Sequence, residues 1–253
     1  MNNQDKTTTL VIPHFNDTER LEIFLPKLAK ILPEYFEIIV SDDGSIPDER
    51  RKLSHLIHEV QKDVGSGGAQ LRDPLFHERN TGKGGAVLRG WLASIQTRNL
   101  GFVDADGAVG VEEIVRGANF FHSTEGAEWD ALFANRVKML GRTVQRSLKR
   151  HFSGRIFATI VSNLGKTAAY DTQCGFKLLR REAFTQISPY MKTPGFAFDV
   201  ELCLLLQKFG FHTIEFPVDW SDIPGSKVRL VRDGLRMAVE VIRIRRRVDA
   251  IKQ

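Results

Sequence analysis

The chain has 253 residues, with 36 Lys+Arg against 31 Asp+Glu for a formal net charge of +5. Its 42% hydrophobic and 26% charged residues exclude a mostly disordered or collagen-like chain, and it shows neither a membrane-spanning apolar run of about 18 residues nor a leader peptide. Two cysteines, Cys174 and Cys203, are too few for a disulfide framework or a zinc site, which predicts a reducing, cytosolic setting.

Leu10-Val11-Ile12 before Pro13 predicts a short buried strand. Leu21, Phe24, Leu25, Leu28 and Ile31 recur at helical spacing, with Pro26 as a candidate kink. Residues 36–40 predict a second strand that stops at Ser41-Asp42-Asp43-Gly44-Ser45, and Leu53, Leu56, Ile57 and Val60 a second helix. Residues 65–68 read as a loop and 75–78 as a weak strand. After Asn80-Thr81-Gly82-Lys83-Gly84-Gly85, residues Ala86, Leu88, Trp91 and Ile95 predict a helix, and 100–103 a further strand. This alternation is the pattern of βαβ units and a mostly parallel sheet.

Further on, residues 129–134 predict a strand and 144–164 a long helix, with Leu148, Phe152, Ile156 and Ile160 on one face. Arg142, Arg146 and Arg150 recur every four residues on another face. Residues 198–209 read as a buried helix, and Ile214, Phe216 and Val218 as a strand with one covered face. Residues 231–248 predict a basic amphipathic helix in which Leu235, Ala238 and Ile242 oppose Arg232, Arg236, Arg243 and Arg247. No composition break marks a linker, so one domain with a specialised C-terminal part is expected.

Charge is segregated. Residues 131–170 hold eight basic and no acidic residues, and residues 225–253 hold nine basic against three acidic. A partner carrying phosphate fits this distribution, whether nucleic acid, an anionic membrane or a phosphorylated small molecule; so do plain solvated faces.

Carboxylates cluster where predicted strands end, at Asp42-Asp43 and at Asp104-Ala105-Asp106. In open α/β sheets ligands bind beyond these ends. Two carboxylates at i, i+2 in a bend can reach one hard divalent cation, although an isolated D-x-D also occurs on solvated loops. The 80–85 segment could bring backbone N–H groups and Lys83 to a phosphate, or simply be a βα turn. It is not a Walker A loop, and no G-x-G-x-x-G follows the first strand.

Together, Val11-Ile12-Pro13-His14-Phe15-Asn16, Ile38-Ile39-Val40-Ser41-Asp42-Asp43-Gly44-Ser45, the 80–87 segment and Asp104-Ala105-Asp106-Gly107 resemble family 2 glycosyltransferases of the GT-A fold. Asp171-Thr172-Gln173-Cys174-Gly175-Phe176-Lys177, Phe198-Asp199-Val200-Glu201-Leu202, and Trp220 with Gly225-Ser226-Lys227-Val228 narrow the resemblance to the dolichyl-phosphate glucosyltransferase branch and its polyprenyl-phosphate relatives. The match runs from about Leu10 to about Arg247.

The resemblance implies a Rossmann-like, mostly parallel sheet flanked by helices over residues 1–224, with a nucleotide-sugar half at about 7–125 and an acceptor half at about 126–224. Residues 225–253 would form a basic C-terminal helical extension of the same domain. It implies inverting transfer of a sugar, with UDP-glucose the leading donor, to a polyprenyl or dolichyl phosphate at the cytosolic membrane surface. Pro13, Phe15, Asn16, Asp43 and Gly44 would hold the nucleotide, with Lys83 nearby. Asp104, Ala105 and Asp106 would sit at the diphosphate, Asp104 and Asp106 ligating Mg2+ or Mn2+. Arg136, Asp171, Gln173 and Lys177 would line the sugar and acceptor side, joined by Arg142, Arg146, Arg150, Ser226 and Lys227. Asp199 matches the general base of many relatives, yet a phosphate acceptor is already anionic and can dispense with a base.

The chain departs from the family pattern at His14 and Phe15, where relatives carry a small residue and Tyr; His14 reads as a loop residue. Val109 and Asn135-Arg136 are further departures. The eukaryotic relatives carry an N-terminal membrane helix not found here, so basic arginines are expected to meet an anionic membrane peripherally. A soluble or glycan acceptor is the alternative enzyme reading. A nucleic-acid-binding module is another, but the aromatics near the basic stripes show no stacking pattern, so no nucleic acid is expected.

Overall fold

Alternate residues of the buried strands feed two cores: Leu10 and Ile12 point into one, Val11 into the other. The computed structural model describes residues 7–65, 67–94, 97–137, 139–145, 167, 169–223 and 230–252. In chain order these form β1 (Thr8–His14), α1 (Thr18–Ile31), β2 (Phe36–Asp42), α2 (Pro47–Val64), β3 (Gln70–Leu71), β4 (Leu75–Phe76), α3 (Lys83–Ala93), β5 (Asn99–Val103) and α4 (Val111–His122). There follow β6 (Ala131–Asn135), β7 (Val144–Gln145), β8 (Phe176–Arg180), α5 (Arg181–Ile187), α6 (Phe198–Lys208), β9 (Thr213–Pro217), β10 (Trp220–Ser221) and α7 (Leu230–Asp249).

The main sheet runs β3-β2-β1-β5-β8-β6-β9, with β4 also on β2; among the described residues β8 is its one antiparallel member. Residues of α1, α2 and α4 pack on one face, and those of α3, α5, α6 and α7 on the other. Trp91 of α3 is fully buried and donates its indole N–H to the Gly101 carbonyl at 2.9 Å, tying the second helix layer to β5. The expected α/β sheet flanked by helices is therefore present.

Helix α1 runs on through Pro26. Three local expectations change. Residues 144–145 form β7, paired with β10, where a helix was expected to begin; residues 146–164 lie outside the described residues. His14 is the last residue of β1, buried against Asp42, so it is no loop residue. The buried side of α7 is Val241, Ile244 and Val248, while Ile242 is exposed, so the helix is rotated from the face pattern expected of it. The junction at 224–229 also lies outside the described residues.

Candidate active site

The carboxyl ends of β1, β2, β5 and β6 open on the same edge as the start of β8, because β8 runs the opposite way. There the Asp104 N–H donates to the Gly175 carbonyl at 2.8 Å. Lys83, first residue of α3, places its ammonium 2.9 Å from Asp104 Oδ1 and 3.4 Å from Asp199 Oδ2. Asp199 Oδ1 lies 2.7 Å from Lys177 Nζ, which also donates to the Cys174 carbonyl at 2.8 Å. The result is an alternating ladder, Asp104–Lys83–Asp199–Lys177, over the Phe102 ring. Only the Asp104 end is substantially open to solvent.

Buried charges persist only when paired. Burial alone would lower the Lys83 pKa, but the charges of Asp104 and Asp199 hold it above the ordinary lysine value. Asp106, two residues beyond Asp104, has its pKa raised by burial and then by the like charge of Asp104, although the Ala108 N–H donates to it at 3.0 Å.

The paired aspartates after β2 divide their work. Asp42 is fully buried and accepts from His14 Nδ1 at 2.9 Å and the Ser45 N–H at 3.0 Å, making it a structural tie. Asp43 Oδ1 accepts from the Thr81 N–H and hydroxyl, each at 2.8 Å, and Oδ2 from the Gly82 N–H at 2.6 Å. It thereby fixes the glycine loop ahead of Lys83. Gly82 has φ +97, and a Cβ there would lie 2.7 Å from the Pro194 carbonyl oxygen. Asn16 Oδ1 accepts from the Ile46 N–H, bracing the Gly44 turn, while the Phe15 ring is exposed and Pro13 partly so.

On the other side, Arg136 grips Asp171 through a fork of 2.7 and 2.8 Å, and its backbone N–H donates to the same carboxylate at 3.0 Å. Gln173 sits beside this pair, its N–H donating to Asp171 Oδ1 at 3.1 Å. Arg142 is drawn away from the expected basic face into a pair with Glu113 at 3.1 Å. Lys177, expected at an acceptor surface, is sealed from solvent and meets the site through its ion pair with Asp199. Arg146, Arg150, Ser226 and Lys227 lie outside the described residues.

The family model described as "Glycosyl transferase family 2" matches residues 9–188. The chain belongs to this family. It is 32% identical over 250 residues to the dolichyl-phosphate beta-glucosyltransferase of Saccharomyces cerevisiae, covering 94% of this chain and 73% of the relative. It is 30% identical over 253 residues to the human protein of the same name, covering 96% and 76%. Among solved structures it resembles glucosyl-3-phosphoglycerate synthase from Mycobacterium tuberculosis in complex with Mn2+, UDP and glucosyl-3-phosphoglycerate, with a TM-score of 0.61, 15% identity and coverage of 98% and 81%. A mannosyltransferase from Pyrobaculum calidifontis in complex with GDP-Man and Mn2+ gives a TM-score of 0.59 at 13% identity, covering 87% of this chain and 57% of that one. These likenesses establish the GT-A fold.

In this family 2 glycosyltransferase, no group of three or more His, Cys, Asp or Glu among the described residues is placed to hold a metal ion by itself. The available donors are the oxygens of Asp104 and Asp106, two crowded like charges on one turn. That set fits a hard divalent cation whose remaining positions are filled by water and diphosphate oxygens.

Two features of this candidate site escape motif reading. The lysines at 83 and 177 converge on Asp199 from α3 and β8, a pairing with no local signature. Glu201 is fully buried, and its signal is visible only in retrospect as a second acidic residue in the otherwise apolar stretch 198–206.

Proposed function

We propose that this enzyme transfers glucose, with inversion, from UDP-glucose to a polyprenyl or dolichyl phosphate at a membrane surface. The observation that carries the reading is the ladder at the sheet edge, which sets the Asp104/Asp106 turn beside a fixed Lys83 ammonium. The names of the relatives, similar across nearly the whole chain, support glucose and the lipid phosphate.

Asp104 and Asp106 would hold Mg2+ or Mn2+. When bound, the cation supplies Lewis-acid stabilisation to the departing diphosphate. Lys83 contributes positive charge on the same side, held in place by Asp43 through the glycine loop. An acceptor phosphate oxygen attacks the anomeric carbon as the bond from that carbon to the UDP oxygen breaks, so the electron pair leaves with UDP. The attacking oxygen is anionic at neutral pH and needs no proton removed. Asp199, faced by two ammonium groups, then anchors Lys83 electrostatically, and base catalysis falls away. Arg136, locked in plane by Asp171, supplies charge on the acceptor side, where Gln173 lies beside it.

Membrane contact is supported by the outward side of α7, where exposed Val239 and Ile242 accompany exposed Arg243 and Arg246. No helix among the described residues is long and apolar enough to cross a membrane.

The test is transfer of labelled glucose from UDP-glucose to polyprenyl phosphate in anionic liposomes, with UDP-, GDP- and dTDP-sugars compared. Transfer that stops with excess chelator and in Asp106→Ala is expected. Transfer only to soluble phosphorylated acceptors, without liposome binding, would move the reading to a soluble-acceptor enzyme. Undiminished transfer in chelator would remove the metal.

A further inference from the structure

The residue that closes the donor loop from behind lies on the C-terminal helix. Glu201 of α6 is fully buried. Its Oε2 accepts the backbone N–H groups of Lys192 at 2.9 Å and Thr193 at 2.7 Å. Its Oε1 accepts the guanidinium of Arg247, which also donates to Thr193 Oγ1 at 2.9 Å. One α7 side chain therefore neutralises a buried carboxylate and grips the turn that the same carboxylate caps.

That turn lies on the glycine loop. The Pro194 carbonyl accepts the Gly85 N–H at 2.9 Å. Positions 82 and 84 have no room for a Cβ, which would fall 2.7 Å from the Pro194 oxygen and 2.8 Å from the Thr193 oxygen respectively. Lys83 stands between these two contacts. Asp43 holds the loop on its other side through the Thr81 and Gly82 N–H groups. The loop is thus clamped between Asp43 and the 193–194 turn, and among the described residues the ion pair that balances the second jaw comes from α7.

We propose that Arg247 is a positioning residue for the donor site, acting through Glu201 and the Thr193-Pro194 turn to hold the glycine loop that carries Lys83. Its described contacts are with Glu201 and Thr193. A buried carboxylate deprived of its counter-charge takes up water or a proton and releases the N–H groups it capped. The loss reaches the loop through the Pro194–Gly85 hydrogen bond. The proposal rests on the reading of this edge as a nucleotide-sugar site for its kinetic consequence, but its structural half does not.

Amide hydrogen exchange of the full chain, free of nucleotide, separates the two halves. Arg247→Met should exchange at least about tenfold faster over residues 81–86 than wild type. It should also raise the donor KM about tenfold while kcat changes less than threefold. Glu201→Gln combined with Arg247→Met removes both charges and keeps a carbonyl for the Lys192 and Thr193 N–H groups, so slow exchange and low KM should return. Arg247→Lys should lie between. Faster exchange confined to residues 230–252, with 81–86 unchanged in Arg247→Met, or in Arg247→Lys should the first not fold, would overturn the proposal. Faster exchange at 81–86 in a protein whose wild type binds no nucleotide sugar would uphold the clamp and sink the donor-site reading instead.

Discussion

Lys177 Nζ lies 2.7 Å from Asp199 Oδ1, with the lysine side chain 1% and the aspartate 2% exposed. This contact joins β8 to α6 beneath the site and fixes Asp199 where Lys83 can meet its other oxygen. Removing one member of such a buried pair costs about 3 kcal/mol or more, because the remaining charge is stranded. Lys177→Met should therefore lower the melting temperature by roughly 6–12 °C in a chain of this length. A melting point within 2 °C of wild type, roughly the effect of under 1 kcal/mol, would mean that the pair adds little.

Gly175 makes room for Asp104. A Cβ at position 175 would sit 2.2 Å from Asp104 Oδ2 and 2.9 Å from Asp104 Cβ. Gly175→Ala should displace the carboxylate that faces Lys83 and weaken Mn2+ binding about tenfold or more, read from free Mn2+ by electron paramagnetic resonance. Unchanged Mn2+ affinity would remove Asp104 from the proposed metal site.

Asp43 acts on the glycine loop through three hydrogen bonds, and its carboxyl titrates below the usual range; burial opposes this, but His77 and the Thr81 and Gly82 donors prevail. Asp43→Ala leaves those donors without their acceptor. Donor affinity should fall about tenfold or more by calorimetry with UDP-glucose, whereas an effect under twofold would show that the loop holds itself.

Strong acid should loosen the Arg136–Asp171 pair. Burial alone would raise the Asp171 pKa, but the Arg136 charge and hydrogen bonds hold it at about 2. A depressed carboxyl stabilises the fold above its unfolded pKa, about 3.9, and loses that contribution as pH falls through 2. The contribution is of order 2 kcal/mol. Asp171→Asn should be less stable than wild type at pH 7 by about that amount, and the gap should close between about pH 4 and pH 2 in urea titrations. A gap independent of pH would assign the loss to packing.

Much of the fold is readable along the chain because parallel strands buried on both faces are written as apolar runs, as at 10–12 and 38–40. The carboxylates that end them were readable for the same reason. Strand β8 hides because Phe176-Lys177-Leu178-Leu179-Arg180 carries a fully buried lysine, whose counter-ion comes from a helix 22 positions later. The rotation of α7 hides likewise. Face patterning sends every arginine outward, whereas Arg247 turns inward to a carboxylate that no local pattern reveals. In both places tertiary charge pairing overrides periodicity.

The antiparallel strand also dictates an order of assembly. Strands β1, β2, β3 and β5 can pair as soon as residue 103 is made, but β6 has no neighbour in the sheet until β8 or β9 follows. During synthesis the outer rim of β5 therefore stands bare for some 70 residues, a sticky border of the kind that recruits other chains. Insertion of β8 closes that border and, in the same event, brings Gly175 against Asp104, while Lys177 waits for Asp199 of the later α6. A nascent chain thus covers its bare rim in the step that begins to assemble the ladder.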